Sequence, residues 1–493
     1  MDRHKQARTT HDNPAAIPLV IMGVPFHRVT NTQTVDWCLE HIRRRVPGYV
    51  TTPNLDFVMH AGRDPELYRI LAQSDLVIAD GMPIIWLSGW LGPRLPERVA
   101  GSDLVVNLSK AAAENGMSVF NLGGAPGVPE KAADTLEARF PGFRLAGAYS
   151  PPKADLLDMD HDTILGLLDA SNPDILYVAF GAPKQEKWIN MHVSQWKVPL
   201  ALGIGGSLDF LAGTQKRAPR WMQKTGTEWI WRFGTNPARF WKRYGANFVF
   251  LLRACLTIRR LKKAPLHPVA AILPPADRRD GIRTCDWQPV TDDQAASRII
   301  TNYCRENERR PLIVNLEHCE WLDSRELGVL LTLGRYGRKH GIPVFFTGAA
   351  GRVQRLLAVN GLESLLDEAR ADTDWTALTQ QAEAGPATSV ADGECLRLIP
   401  PPELTAVSLQ AWRGPVDNAL NALPATVRMV EIDTACMRFI DSAAIGFLIA
   451  LKKRIESGNR RFLVTHMQPA VRTTMRLARV ESLLADKEQD ATA

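Results

Sequence analysis

Between residues 17 and 263, short apolar runs alternate with longer amphipathic stretches, and most runs stop at a glycine or a small polar residue. A short apolar run has the length of a buried strand, and the stretches between, apolar at every third or fourth position, have the period of helices. Such alternation predicts βαβ units around a mainly parallel sheet, an α/β fold of Rossmann-like type. Expected strands are Gly48–Thr52, Leu76–Ala79, Ser118–Leu122, Phe143–Ala148, Ile175–Phe180 and Leu200–Gly203. Expected helices include Asp64–Gln73, Ser102–Glu114 and Pro129–Arg139. Open sheets of this type bind ligands beyond the carboxyl ends of their strands, so the residues just after each run are the ones to inspect.

After the first strand come Thr52, Pro53 and Asn54; after the second, Asp80 and Gly81. Asp80 serves either as a turn former and helix cap or as a carboxylate pointing into a crevice. After the third, Gly123 and Gly124 serve the turn alone or let backbone N–H groups and a helix N-terminus cradle phosphate. The sequence there is not GxGxxG and no acidic residue follows a second short strand, which weakens a dinucleotide reading. The stretch FGAPKQEKWI at 180–189 sets Lys184, Gln185 and Glu186 beside one glycine turn, and GIGGSLDF at 203–210 supplies another, with Gly205 and Asp209. Asp158, Asp160 and Asp162 form Asp-x-Asp pairs of the kind that bind metal in many transferases. They stand directly before a helix expected at Thr163–Ala170, where aspartates suit the N-terminus, and the cap is the better reading.

At 493 residues and 45% hydrophobic, the chain is too long for one core and suits roughly two to four domains of about 100–200 residues. Its seven cysteines are scattered, in no CxxC or Cys/His spacing, so neither a disulfide framework nor a zinc site is indicated and a reducing compartment is expected. The polar N-terminus MDRHKQARTTHDNPAA lacks the apolar core of a secretory signal, and no stretch approaches the roughly 20 apolar residues of a membrane span. A cytoplasmic protein is expected.

The net charge of +6 hides an asymmetry: residues 214–263 hold thirteen Lys/Arg and one acid, Glu228, with tryptophans at 221, 229, 231 and 241. Asn236 and Pro237 read as the cap and first residue of a helix running towards Leu261. Its apolar residues either pack on their own domain or attach the protein to a membrane surface, where each basic residue near anionic lipid gains about 1 kcal/mol. No nucleic-acid recognition motif accompanies the bases.

The motifs TTPN, LVIADGMP, LPERVAGSD, FNLGGAPG, FGAPKQEKWI and GIGGSLDFLAGTQKRAP, in this order, resemble the WecG/TagA/CpsF family of bacterial glycosyltransferases. The resemblance implies an inverting, metal-independent transfer, without a cofactor, of N-acetylmannosamine, its uronic acid or glucose from UDP to a polyprenyl-pyrophosphate-linked acceptor, for cell-surface or exopolysaccharide synthesis. Carried onto this chain, it makes Asp80 the catalytic carboxylate and Thr52 its active-site companion. Asn54, Arg98, Asp103, Gly123, Gly124, Lys184, Gln185, Gly205 and Asp209 become substrate-binding residues. Arg98 and Asp103 pair with each other or with the donor sugar, and Glu186 makes a salt bridge to Lys187 or Arg220 or serves as a ligand. In EWIWRFGTNPARFWKRY, Arg232, Arg239 and Lys242 stand at the spacing of the family's diphosphate clamp. Lys242 replaces the usual arginine, loses its bidentate fork and leaves room for Arg243 to take over.

Beyond a proline-rich stretch at 264–282 lies an internal repeat. VNLEHCEWLDSRELGVLL at 314–331 recurs as VEIDTACMRFIDSAAIGFLI at 430–449, and ESLL recurs at the same offset of 118 residues. Each copy resembles a STAS domain, in which a serine after aspartate heads a helix and is phosphorylated by a partner kinase. Ser324 and Ser442 occupy that place; each is either a simple N-cap or a candidate for phosphorylation. The expected layout is a Rossmann-like transferase domain at 15–213, a basic appendage at 214–263, a linker at 264–282, one small α/β STAS-like domain at 283–370, a linker at 371–393 and a second STAS-like domain at 394–488. Expected partners are a UDP-sugar, a lipid-linked saccharide, the inner face of the cell membrane, a regulatory protein or kinase, and a second copy of the chain, but not nucleic acid. A regulatory scaffold with an inactive transferase domain is the alternative.

Overall fold

A computed structural model of the chain describes residues 17–484 apart from 216–217, 220, 223–226, 236, 265–268, 272, 274–281, 305–309, 341, 363–366, 370–388, 393 and 425. Six parallel strands form the central sheet, in the spatial order Leu76–Val77, Gly48–Thr51, Leu200–Gly203, Ile175–Ala179, Ser118–Gly123 and Arg144–Tyr149. All six were legible as apolar runs because strands covered on both faces need no polar positions. Tyr177 points to one face, where its hydroxyl meets Ser109, while Leu176 and Val178 pack on the other. Helices Asn31–Arg44, Gly101–Glu114 and Val128–Arg139 cover the first face; His161–Ser171 and Lys184–His192 cover the second.

Strand Ser118–Gly123 leads outward to Arg144–Tyr149, and its neighbour Ile175–Ala179 leads inward to Leu200–Gly203. Adjacent strands whose connections diverge open a crevice at their carboxyl ends. Both glycine turns of the PKQE region border it.

An N-terminal hairpin, Leu19–Ile21 with Val24–Phe26, was not expected from the sequence, because three-residue strands are too short to show a period. It packs against helix Ser324–His340 so closely that the Pro18 carbonyl occupies the space a Cβ on Gly328 would need. The transferase domain and the first C-terminal module therefore share one core, which joins Leu19, Ile21 and Val77 to Leu327, Leu330 and Phe346.

The repeat emerges as two similar modules. Strands Leu312–Asn315 and Val344–Thr347, with helices Ser324–His340 and Gly351–Val359, correspond to Met429–Asp433, Arg461–Thr465, Ser442–Ser457 and Pro469–Leu477. Strand Ser389–Asp392, inside the stretch expected to be linker, pairs antiparallel with Cys395–Leu398. The basic segment folds as helices Glu228–Thr235 and Pro237–Lys263. The longer helix buries Ala254, Ile258 and Leu261 but leaves Phe248, Val249, Leu252 and Leu256 exposed. No described helix is long and apolar enough to cross a membrane.

Candidate active site

Asp80 stands just beyond strand Leu76–Val77, where its backbone N–H donates to the Pro53 carbonyl at 3.1 Å. Its Oδ2 accepts the N–H of Gly101 at 3.3 Å, and Gly101 is the first residue of a helix whose preceding Ala100 offers no capping side chain. The helix-cap reading of Asp80 holds: the carboxylate meets a helix N-terminus, whose partly positive end favours the ionised form. A Cβ on Gly101 would stand 3.3 Å from Thr52 Oγ1, so the threonine hydroxyl lies on the same helix end. Asn54 caps helix Leu55–Ala61, its Oδ1 accepting from Asp56 and Phe57, while its β-carbon borders Gly81. Asp103 is half-buried in the first turn of helix Gly101–Glu114, close in sequence to the Asp80 contact.

Among the described residues Arg98 does not pair with Asp103. Its guanidinium donates to Glu228 at 3.0 Å, so the single acid of the basic segment ties helix Glu228–Thr235 to the rim of the sheet. This contact joins residues 130 apart and has no local sequence signal. The side chains of Arg232, Arg239 and Lys242 lie outside the described residues, as do those of Arg220 and Arg243.

On the donor side, Gly123 and Gly124 have φ of 103° and 84°, and a Cβ on Gly123 would stand 2.8 Å from the Ala179 carbonyl. Only glycine fits so close a strand crossing with positive φ. Gln185, 3% exposed, accepts N–H groups from Gly181 at 3.2 Å and Gly205 at 3.1 Å, and donates to Glu186 Oε1 at 2.7 Å. Its amide staples the two glycine turns from within, where the sequence suggested a direct grip on the donor. Glu186 is 1% exposed, and its Oε2 has no hydrogen-bond partner among the described residues; burial pushes its carboxyl up to about 7. The salt bridge expected for it belongs instead to Lys187, which meets Asp64 at 2.8 Å and Glu66 at 2.9 Å.

Lys184 donates to the Ala154 carbonyl and lies 5.6 Å above the Phe180 ring; burial holds its ammonium below the usual lysine range. Asp209 accepts the Thr214 hydroxyl at 3.1 Å and so closes the turn after helix Ser207–Leu211. Asp160 caps helix His161–Ser171 through Thr163, as read from the sequence. Ser324 and Ser442 head their helices and are 0% and 3% exposed. Four strand spacings, about 19 Å, separate the Asp80 end of the sheet edge from the Gly123 end.

One feature of the site was missed at the sequence level. Helix Met82–Leu91, MPIIWLSGWL, starts two residues after Asp80 and is apolar on every face, the mark of a helix that is buried or meets lipid. It forms one wall of a cavity of about 610 Å³, lined by Ile85, Trp86, Trp90 and Arg94 and, from the appendage, Leu251 and Cys255. Trp86 and Trp90, one turn apart, are 51% and 57% exposed.

The family model described as "Glycosyl transferase WecG/TagA/CpsF family" matches residues 19–264, and a STAS domain model matches residues 413–485. Two relatives from Staphylococcus aureus, strains MRSA252 and NCTC 8325, are named N-acetylglucosaminyldiphosphoundecaprenol N-acetyl-beta-D-mannosaminyltransferase. Each is 30% identical over 249 residues, which cover 50% of this chain and 94% of the relative. The chain belongs to the WecG/TagA/CpsF family of glycosyl transferases and carries a STAS domain in its C-terminal part.

Proposed function

We propose that the chain transfers a hexose-type sugar, N-acetylmannosamine, its uronic acid or glucose, from UDP to a sugar on a polyprenyl diphosphate. The acceptor hydroxyl attacks the anomeric carbon as its proton passes to Asp80, and the bond to the UDP oxygen breaks with its electron pair leaving on UDP. One such displacement inverts the anomeric centre. The observation that carries this reading is the Asp80 carboxylate, held at the sheet's carboxyl edge by Gly101 N–H with Thr52 beside it. A positioned general base contributes about 10²–10⁴-fold to rate.

The turns at Gly123–Gly124, Gly181 and Gly205, the last two held by Gln185, border the crevice that takes the donor diphosphate, and Arg232, Arg239 and Lys242 from the basic segment neutralise the leaving charge. A lipid-linked acceptor is favoured by the apolar cavity beside helix Met82–Leu91, which begins about 5 Å along the helix from its Asp80 end. It is also the acceptor type in the relatives' names. The exposed Trp221, Trp241, Phe248 and Leu252 among the bases suit attachment to an anionic membrane surface. In the full chain, Asp80→Asn is expected to keep UDP-sugar affinity and lose at least about 100-fold in transfer rate, measured with a polyprenyl-diphosphate-linked N-acetylglucosamine acceptor. Undiminished transfer would remove Asp80 from the mechanism.

A further inference from the structure

Both STAS-like modules grip the same transferase helix, Pro65–Gln73, which leads directly into the strand before Asp80. The first module holds it through Tyr68, whose hydroxyl donates to the Asn360 carbonyl at 3.2 Å. The second module meets it with charge. Glu66, 1% exposed, accepts the backbone N–H of Ser442 at 2.6 Å on Oε1 and the Ser442 hydroxyl at 2.8 Å on Oε2. That Oε2 also takes Lys187 Nζ at 2.9 Å. One helical turn along, Arg69 makes a two-pronged contact with Glu403 of the second module, at 2.7 and 3.1 Å, and lies 4.0 Å over its Phe439 ring.

The Glu66 contact continues into the donor side. Lys187 lies on helix Lys184–His192, and Gln185 in the same first turn holds the amides of Gly181 and Gly205. Packed helices and buried hydrogen bonds transmit displacement because neither stretches cheaply. The two serines of the repeat are not equivalent here. Ser324 abuts Gly92, where a Cβ would stand 2.5 Å from its Oγ, and that Oγ has no hydrogen-bond partner among the described residues. Only Ser442 of the two meets a transferase carboxylate.

We propose that the Ser442 face of the second STAS-like module is an interaction surface for this chain's own transferase domain, and that Glu66 is a positioning residue that sets the donor turns through Lys187. The second half rests on the reading that those turns hold the donor. The module's docking thereby becomes a condition of donor affinity. A negative charge placed at Ser442 opposes it, because it would face Glu66, whose one Lys187 partner is already shared with Asp64, and would stand beside Asp441, which itself faces Glu66.

The test compares the full chain with Ser442→Glu, Glu66→Gln and the double variant, by hydrogen exchange at single amides and by UDP affinity. Ser442→Glu is expected to speed exchange at Ala444, Gly181 and Gly205 by about tenfold and to weaken UDP binding several-fold. Glu66→Gln alone moves Gly181 and Gly205 in the same direction by less. In the double variant, the amide restores a donor for the new carboxylate and returns most of the protection. Faster exchange at Ala444 with Gly181 and Gly205 unchanged would overturn the coupling, as would failure of the double variant to restore protection. If Ser442→Glu does not fold, unchanged Gly181 and Gly205 exchange in Glu66→Gln overturns the proposal alone. Absence of UDP binding in the unaltered chain would sink the donor reading, and the exchange result still decides whether Ser442 positions the turns.

Discussion

Gly203 ends its strand where a Cβ would stand 2.7 Å from both Gln185 Nε2 and Glu186 Oε1. The glycine is there for that close approach, and the two side chains it admits form a buried pair in which one Glu186 oxygen has no hydrogen-bond partner among the described residues. An acid whose pKa is raised on folding, from 4.5 to about 7, holds an extra proton in the folded state between those values. Its contribution to stability is full below about 4.5 and falls as pH rises towards 7, worth on the order of 3 kcal/mol across that window. Glu186→Gln is expected to flatten this part of the stability profile, measured by denaturant unfolding at pH 5, 6, 7 and 8; an unchanged slope would show that Glu186 is ionised throughout. Asp441, also pushed to about 7 by burial and then by Glu66, adds a slope of the same sign that this variant leaves in place. At this scale the sequence showed which residue types gather at the turns. It did not show that Gln185 and Glu186 point inward, because one turn of a helix carries side chains to every side and only the strand packed against it decides which are buried.

Helix Met82–Leu91 and helix Pro237–Lys263 meet along the cavity, and the longer helix divides its apolar residues between two faces. Leu251 and Cys255 line the cavity, and Phe248 and Leu252 face outward. One face of the helix thus packs on its own domain, and the other is exposed and is the face the proposed membrane contact would use. The two faces separate in an experiment. Leu251→Asp is expected to raise the KM for a polyprenyl-linked acceptor about tenfold while leaving donor KM within about twofold, since tenfold is about 1.4 kcal/mol, the scale of one poorly paired polar group in a partly open apolar pocket. Phe248→Glu with Leu252→Glu is expected instead to abolish flotation with vesicles containing anionic lipid while sparing transfer to a short-chain soluble acceptor. The position of helix Pro237–Lys263 was readable because Pro237 and the apolar spacing mark it, whereas helix Met82–Leu91, apolar on every face, shows no such period. The pairing of the two helices was not readable, because it joins segments far apart in the chain, Met82–Leu91 and Pro237–Lys263, without a periodic signal.

The whole molecule divides by its cores and not by its repeat. One core runs from the N-terminal hairpin into the first STAS-like module, while the second module has a core of its own built on Val430, Ile445, Leu448 and Val471. Calorimetry of the full chain is expected to show two transitions, the larger covering the transferase domain with the first module. Ile445→Ala, a large-to-small change at a fully buried site, should lower only the second by the equivalent of about 2–5 kcal/mol. Three independent transitions would mean that the shared core does not couple its two parts. By itself, the sequence determined the six apolar strands, the glycine turns, the Asp80 and PKQE motifs and the repeat at an offset of 118 residues, since each is a local pattern of residue type and spacing. Only the tertiary structure decided that Arg98 meets Glu228, that Glu66 receives Ser442 and that both modules close on one helix. Those contacts depend on where separately folded elements come to rest, and a charged or polar side chain looks the same in a sequence whether it faces water or a partner hundreds of residues away.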